Sequence, residues 1–404
     1  MDVHDLVRSL RQDAETKIIL LVSDGLGGLS ERPEGGPTEL EAAETPHLDE
    51  MAAQGSSGLL QPVLPGITTG SGPGHLALFG YDPLRYVIGR GVLSALGAGF
   101  DLRPGDVAAR GNFCTVDEQG VITDRRAGRI STEVARERIE LLRTCELENV
   151  ELFVEPVRDY RFTLILRGED LGAEINDTDP QQTGLTPRVP GGRDDASKRT
   201  AEHLRGFLRH AREKLHDDSP ANMVVLRGFS KLPDWPTFGD VYGLKACAIA
   251  TYPMYRGLAR LLDMQVVVGE DADLGGQVDA LIEAWHSFDF FFLHYKDTDS
   301  RGEDGDFRAK VGEIEKLDAS IGSVRCLAPD VMMVTGDHST PSRLRSHSWH
   351  PVPLVMTSEA CRVDGCTRFG ETECGERGGL GHFEAKHLMT LAMAHAGRLA
   401  KYGA

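Results

Sequence analysis

The sequence predicts an α/β fold with a largely parallel sheet flanked by helices and interrupted by an inserted domain. Three observations predict it. Apolar runs of strand length alternate with segments of helical spacing along the 404 residues, the order that builds parallel sheets. Three of the runs, KIILLVSDG (17–25), FDFFFLHYKDTD (288–299) and VMMVTGDHSTP (331–341), pass straight from apolar residues into carboxylates or an imidazole, and open α/β sheets gather their chemistry outside the carboxyl ends of strands. These runs fall before about residue 90 and after about residue 240, while the stretch between has strands of its own, such as DYRFTLILRG (159–168). The simplest division is one discontinuous domain, 1–90 and 240–404, carrying a second domain, 91–239, as an inserted cap.

The opening segment MDVHDLVRSLRQD has neither an apolar core nor a basic flank and does not read as a signal peptide. Ile18 to Val22 form a buried strand that delivers Ser23, Asp24 and Gly25. TPHLDEMAAQG (45–55) predicts a short helix with Thr45 as N-cap, Pro46 in the first turn and Gly55 as its stop. Gly66 to His75 is a Gly-rich turn opening the apolar segment Leu76 to Phe79. Pro73 suits an early helical position, and Ser71 beside it would lie near exposed N–H groups that favour an anion. Helical spacing recurs in 131–144, 198–215, 306–327 and 384–403. TPRVPGGRDD (186–195) reads as a mobile loop of the cap or a plain surface connection. Val331 to Val334 is a strand ending in Gly336, Asp337 and His338; the polar loop Ser346 to Pro351, with His347, precedes another apolar run, Val352 to Met356.

Taken singly, each of these pieces has an ordinary structural reading: a Gly/Pro turn, a surface histidine, a solvated carboxylate. Together, Asp24, Ser71, Asp299, Asp337, His338 and His347 suffice for two divalent cations sharing one hydroxyl nucleophile. Carboxylate and imidazole suit Zn or Mn. Metal coordination activates a Ser that is weak at its free pKa, and paired ions about 3.5–4 Å apart clamp the attacking and leaving oxygens of an in-line phosphoryl transfer.

Asp24-Gly25, the Ser71-x-x-Gly74-His75 turn, TGDHSTP and the stretch from His347 to Pro353 match, in order, the alkaline phosphatase superfamily. More narrowly the chain resembles the cofactor-independent (2,3-bisphosphoglycerate-independent) phosphoglycerate mutases of archaeal type. HLALFGYDP (75–83), GRGVLSALG (89–97), DVAARGNF (106–113), TDRRAGRI (123–130), NDTDPQ (176–181) and KDTDSRGEDGDF (296–307) look like that family's blocks, and the similarity runs over nearly the whole chain. The resemblance implies an alkaline-phosphatase-like sheet and a glycolytic enzyme that interconverts 2- and 3-phosphoglycerate through a phosphoserine. It further implies Ser71 as nucleophile, one ion on Asp24, Ser71, Asp337 and His338, and a second on Asp299, Glu303 and His347. Mn is the implied metal, with Zn as the other candidate. Two positions depart from the family's pattern. Glu303 stands where His is usual, which hardens the site toward oxygen-preferring ions, and Gly72 stands where archaeal-type members carry Asp.

A phosphorylated, carboxylated substrate needs guanidinium groups, which offer bidentate donors to both anions. TDRRAGR packs Arg125, Arg126 and Arg129 into seven residues; Arg227 follows the run MVVLRG, and Arg256 stands in YPMYRG where the family has Lys. Arg125, Arg126, Arg227 and Arg256 are the expected substrate contacts, and Asp124 is a candidate acid/base for the glycerate hydroxyls. A net charge of −18 argues against nucleic acid or an anionic membrane as partner. No apolar run reaches the roughly 18 residues of a membrane span. Seven cysteines without a tight framework fit a reducing compartment, so the cytoplasm is the expected location. Nothing in the chain marks an oligomer interface. Gly72 and Glu303 keep a second expectation open, a phosphatase or phosphotransferase acting on another small phosphorylated metabolite, and a pure binding protein would need no nucleophile.

Overall fold

The computed structural model describes residues 2–403. Its strands, in chain order, are β1 (Ile18–Ser23), β2 (Ser56–Gln61), β3 (Val107–Val116), β4 (Ile122–Asp124), β5 (Glu151–Arg158), β6 (Arg161–Arg167), β7 (Met223–Lys231), β8 (Ala246–Ile249), β9 (Gln265–Val266), β10 (Phe290–Tyr295), β11 (Val331–Thr335), β12 (Val352–Ser358) and β13 (Gly381–Glu384). The chain divides into two units. Unit one comprises the residues up to Val87, Pro236–Tyr255 and those from Leu262 onward; unit two comprises Ile88–Trp235 and Arg256–Leu261.

Unit one is built on an eight-stranded sheet in the order β13-β2-β12-β11-β1-β10-β8-β9. β1, β10 and β11 are buried along their whole length, as continuous Ile, Leu, Val and Phe runs require when helices cover both faces. The sheet is largely parallel: β11, β1, β10, β8 and β9 pair in parallel, and only β12 runs against its neighbours β11 and β2. A parallel successor to β11 would need a crossover helix. The link 336–351 contains none, so β12 returns antiparallel and that loop stays at the carboxyl edge of the sheet. Because β11, β1 and β10 lie side by side with Val22 opposite Thr335 and Ser23 opposite Tyr295, Asp24, Asp297 and Asp337 all emerge at one edge.

The helices form where the apolar spacing places them. Pro46–Gln54 ends at Gly55 as expected, although the Thr45 side chain makes no cap bond to the backbone. Ser131 caps Thr132–Arg143, Asp194 caps Asp195–Leu215 and Asp306 caps Phe307–Arg325. The C-terminal helix is shorter than its spacing suggests. A 3₁₀ turn, Ala385–His387, leads into Leu388–His395, and Gly397 at φ 66 then turns the chain back so that Ala400 N donates to Leu10 O at 2.7 Å. Ser71–Leu78 is a helix with Gly70 as N-cap. Ser71 therefore sits in a helical first turn rather than at the end of a strand.

Unit two holds a five-stranded antiparallel sheet, β4-β3-β6-β5 with β7 on the other edge of β3. Phe162, Phe207, Leu164 and Leu204 belong to its own buried core. Residues 256–261 pack here because Gly257 has no side chain: a Cβ would come within 2.3 Å of Leu93 O. The segment 186–195 is tied down, with Asn176 accepting from Gly191 N at 2.7 Å and Arg193 N donating to Glu174 O at 2.9 Å.

Candidate metal centre

The carboxyl edge of β11, β1 and β10 brings Asp24, Asp299, Asp337, His338 and His347 together within unit one. Asp24 follows β1 directly. Asp299 lies in the first turn of the helix Asp297–Asp304, and Asp337, His338 and His347 share the loop between β11 and β12. Two motif glycines let the supporting helices approach that loop. A Cβ at Gly74 would lie 2.4 Å from Asp337 O, and one at Gly302 would lie 2.3 Å from Thr340 O. These contacts are to backbone oxygens that cannot move aside. The glycine of the Ser71 turn is therefore what allows the Ser71 helix to rest on the Asp337-His338 backbone.

Hydrogen bonding fixes both imidazoles. Thr340 Oγ1 donates to Asp299 Oδ1 at 2.6 Å, so its contact with His338 Nδ1 at 3.0 Å is one it accepts. The proton is thus on Nδ1, and Nε2 turns a lone pair toward Asp24 Oδ1 at 3.4 Å and Asp337 Oδ2 at 3.2 Å. His347 Nδ1 donates to Thr69 O at 2.9 Å. Its Nε2 lone pair points toward Asp299 Oδ1 at 3.6 Å and Glu303 Oε1 at 3.8 Å. The two rings stack with centroids 3.7 Å apart. Ser71 Oγ donates to His338 Nε2 at 3.1 Å.

This arrangement fits divalent cations. Among the described residues Asp24 Oδ1 is buried with no hydrogen-bond partner, and Asp337 Oδ2 has no partner beyond the rings of His75 and His338, each 3.2 Å away, a costly state for carboxylate oxygens unless a cation faces them. Asp24, Asp337 and His338 form one group of potential ligand atoms within 4.8 Å of one another; Asp299, His338 and His347 form a second. In each case a Thr hydroxyl or a backbone carbonyl takes the far ring nitrogen, the usual second layer of a metal site.

Three positive or polar groups converge on the other oxygen of Asp24. Lys296 Nζ lies 3.0 Å from Asp24 Oδ2 and 2.5 Å from Asp299 Oδ2. His294 Nε2 lies 3.2 Å from the same Asp24 oxygen, and Tyr255 donates its hydroxyl to it. Burial alone would raise the Asp24 carboxyl; Lys296 and His294 outweigh it and hold the group well below the usual carboxylate range. Burial pushes the His338 imidazole down, against the pull of Asp337 and Asp24, which favours the neutral, ligating form. His75 lies 3.2 Å from Asp337 Oδ2 and 2.8 Å from Ser71 O.

The chain is similar to known proteins of one family. Residues 52–222 match the family model described as 2,3-bisphosphoglycerate-independent phosphoglycerate mutase. Curated relatives named as probable 2,3-bisphosphoglycerate-independent phosphoglycerate mutases from Thermus thermophilus and Deinococcus radiodurans are 50% and 48% identical, in each case over all of both chains. The chain belongs to this family. Among solved structures, the cofactor-independent phosphoglycerate mutase of Thermoplasma acidophilum is 30% identical, with a TM-score of 0.69 over 94% of this chain and all of that one. A protein of Pyrococcus horikoshii is 28% identical, with a TM-score of 0.81 over 98% of this chain and all of that one.

Of the residues the sequence singled out, this member of the mutase family gathers Asp24, Ser71, Asp299, Asp337, His338 and His347 in one place. Glu303 is one helical turn beyond Asp299 on the same face and 57% exposed. The arginines divide by role. Arg125 makes a bidentate pair with Asp179, at 3.2 and 2.7 Å. Arg227 is half-buried, its Nε has no hydrogen-bond partner, and burial, with Arg90 next, pushes its guanidinium down. Arg126 is exposed, and Arg256 lies in the helix Pro253–Leu261. Asp124 is spent on its own turn, accepting from Arg126 N at 2.8 Å and Gly128 N at 2.6 Å. Sequence reasoning missed Lys296, His294, Tyr255, Thr340 and Arg90. A lysine between an apolar strand and DTD was a legible signal for the first. Tyr255 and His294 carried none, since both read as core aromatics.

Proposed function

We propose that this chain interconverts 2-phosphoglycerate and 3-phosphoglycerate, with Ser71 as the group that carries the phosphoryl between the two hydroxyls. The observation that supports this most directly is the Ser71 hydroxyl, 3.1 Å from His338 Nε2, at the rim of a buried group of carboxylate oxygens. Ser71 Oγ attacks phosphorus as the ester P–O bond to the glycerate breaks, leaving a phosphoserine. The freed glycerate alkoxide takes up a proton equivalent to the one Ser71 gave up. The other glycerate hydroxyl then loses its proton and attacks phosphorus as the Ser71 Oγ–P bond breaks, and Ser71 Oγ regains a proton and returns to its starting form. Asp24, Ser71, Asp337 and His338 would hold one divalent ion, and Asp299, Glu303 and His347 the other. Mn is the metal that the family resemblance implies for both, and Zn is the alternative that the mixed carboxylate and imidazole donors admit equally. When bound, such ions supply positive charge that offsets the phosphoryl oxygens and lowers the pKa of the serine hydroxyl.

Lys296 places an ammonium against both carboxylate groups and orients Asp24 and Asp299. Unit two is assigned to recognition of the substrate's anions. Arg125, Arg227 and Arg90 give it a concentration of positive charge that Asp179 only partly offsets, and an incoming carboxylate or phosphate would complete it. Seven free thiols and a phosphorylated metabolite as substrate suit the cytoplasm.

Phosphorus NMR of 3-phosphoglycerate incubated with the Mn-loaded protein tests the assignment. The expected result is the 2-phosphoglycerate resonance with little free phosphate. Growth of inorganic phosphate alone would make the chain a phosphatase, and an unchanged spectrum would remove phosphoglycerate as substrate.

A further inference from the structure

Lys310 has no place in the chemistry above, yet it is fully buried at 0% exposure. It lies in the first turns of the helix Phe307–Arg325, where the helix dipole disfavours a cation. An ammonium has three donors and no acceptor. All three of these go to carbonyl oxygens: Gly25 O at 2.8 Å, Gly27 O at 3.1 Å and Thr340 O at 2.8 Å. A charge this deeply buried is costly unless fully bonded, and its direct partners here are carbonyls, with the carboxylates of Glu39, Glu371, Asp299 and Asp24 acting on it without a direct bond. What these carbonyls have in common is their position. Gly25 adjoins Asp24. Thr340 is the residue whose hydroxyl joins Asp299 to His338. The same two loops are otherwise joined by Thr340 N donating to Gly25 O and Gly27 O at 3.3 and 3.0 Å and by Gly25 N donating to Asp337 Oδ1 at 3.1 Å.

We propose that Lys310 is a positioning residue for the metal centre, an internal cation that clamps the Asp24 turn to the Asp337–Thr340 loop and so fixes ligands of both groups before any ion arrives. The proposal rests on the metal-site reading above. It predicts an effect beyond stability, because the turn keeps other anchors when Lys310 is lost. Gly28 N donates to Glu371 Oε1 at 2.8 Å and Leu29 N to Glu39 Oε2 at 3.0 Å, so the chain should still fold while the ligands lose their register.

The test is a Mn²⁺ titration of the chelator-stripped full-length protein followed by electron paramagnetic resonance, for the native chain, Lys310→Met and Lys310→Gln. Met keeps the length of the stem and removes the donors; Gln keeps two N–H donors and removes the charge. Circular dichroism melts without metal run alongside. The expected result is tight binding by the native chain, at least about a tenfold loss of Mn²⁺ affinity in Lys310→Met with a broadened spectrum of the bound ion, and a smaller loss in Lys310→Gln. Native affinity and a native spectrum in either folded variant overturn the proposal, whatever happens to the melting temperature. Failure of both variants to fold would make Lys310 a purely structural residue and overturns it equally. Absence of Mn²⁺ binding by the native chain would instead bring down the metal-site reading, and this proposal with it.

Discussion

At the residue scale the proposed chemistry turns on single atoms. With the Ser71 hydroxyl as the proposed nucleophile, Ser71→Ala is expected to lower mutase turnover by more than about 10³-fold while Mn content by elemental analysis stays at the native level, because Asp24, Asp337 and His338 remain. An unchanged rate would exclude Ser71 as nucleophile. Arg227 offers a second test. Its Nε has no partner among the described residues and Arg90 acts on it, the basis on which the guanidinium is proposed to take a substrate anion. Arg227→Met should raise KM for 3-phosphoglycerate, by about 1.5–3 kcal/mol of lost charged hydrogen bonding, or roughly 10- to 150-fold, with a smaller change in kcat. An effect on kcat alone would move Arg227 out of substrate binding.

Between whole elements, close approach is what the motif glycines provide. Gly74→Ala places a methyl 2.4 Å from Asp337 O. Overpacking of this kind costs about 1–3 kcal/mol, and here it also pushes the Ser71 helix off the His338 loop. The expected outcome is a loss of activity much larger than the fall in melting temperature, and equal proportional losses would speak against the packing argument. A second joint, Asp364, ties β2 to the segment before β13 by accepting from Ser57 N at 2.6 Å, Gly379 N at 2.8 Å and Cys366 N at 3.0 Å. Burial alone would raise this carboxyl, but the backbone donors outweigh it and hold the group below its ordinary range. A depressed folded pKa adds stability above the unfolded value near about 3.9, and that stability is lost as pH falls through the folded value. Asp364→Asn should therefore cost about 1–3 kcal/mol at neutral pH. The gap in melting temperature between it and the native chain should narrow below about pH 4, and a gap that widens there would reverse the sign of the argument.

For the whole molecule, metal and fold are linked. Unit one holds Asp24, Asp299 and Asp337 close together, with Lys296 as the direct ammonium partner of Asp24 and Asp299, so an ion relieves repulsion that the folded state otherwise carries. Anything that binds only the native chain stabilises it, by about 2.7 kcal/mol at a hundredfold excess over Kd. Chelation should lower the melting temperature, and excess Mn²⁺ should restore it in proportion to the logarithm of its concentration. A melting curve indifferent to chelator and Mn²⁺ would count against a resident ion.

Local pattern was enough to determine the sheet and to point to the carboxylates and imidazoles gathered at its edge. Ile18 to Val22, Phe290 to Tyr295 and Val331 to Val334 can only be buried strands, and each is followed within a few residues by the group it delivers, so Asp24, Asp299, Asp337 and His338 were legible where they stand. The Gly397 turn is local too, yet the apolar spacing over 384–403 ran past it, and the helix stops at His395. Tertiary structure decided the rest, because it concerned contacts between residues far apart in the chain. Lys310 reads as a solvated helix lysine until Gly25, Gly27 and Thr340 surround it. Tyr255 and His294 read as core aromatics until Asp24 meets them. Asp124, attractive beside an arginine pair, is satisfied by its own turn. The antiparallel return of β12 follows from a loop without a helix, and it is that return which brings His347 back beside His338. Sequence periodicity reports which face of an element is buried; it carries no record of which distant carbonyl or carboxylate waits on the other side.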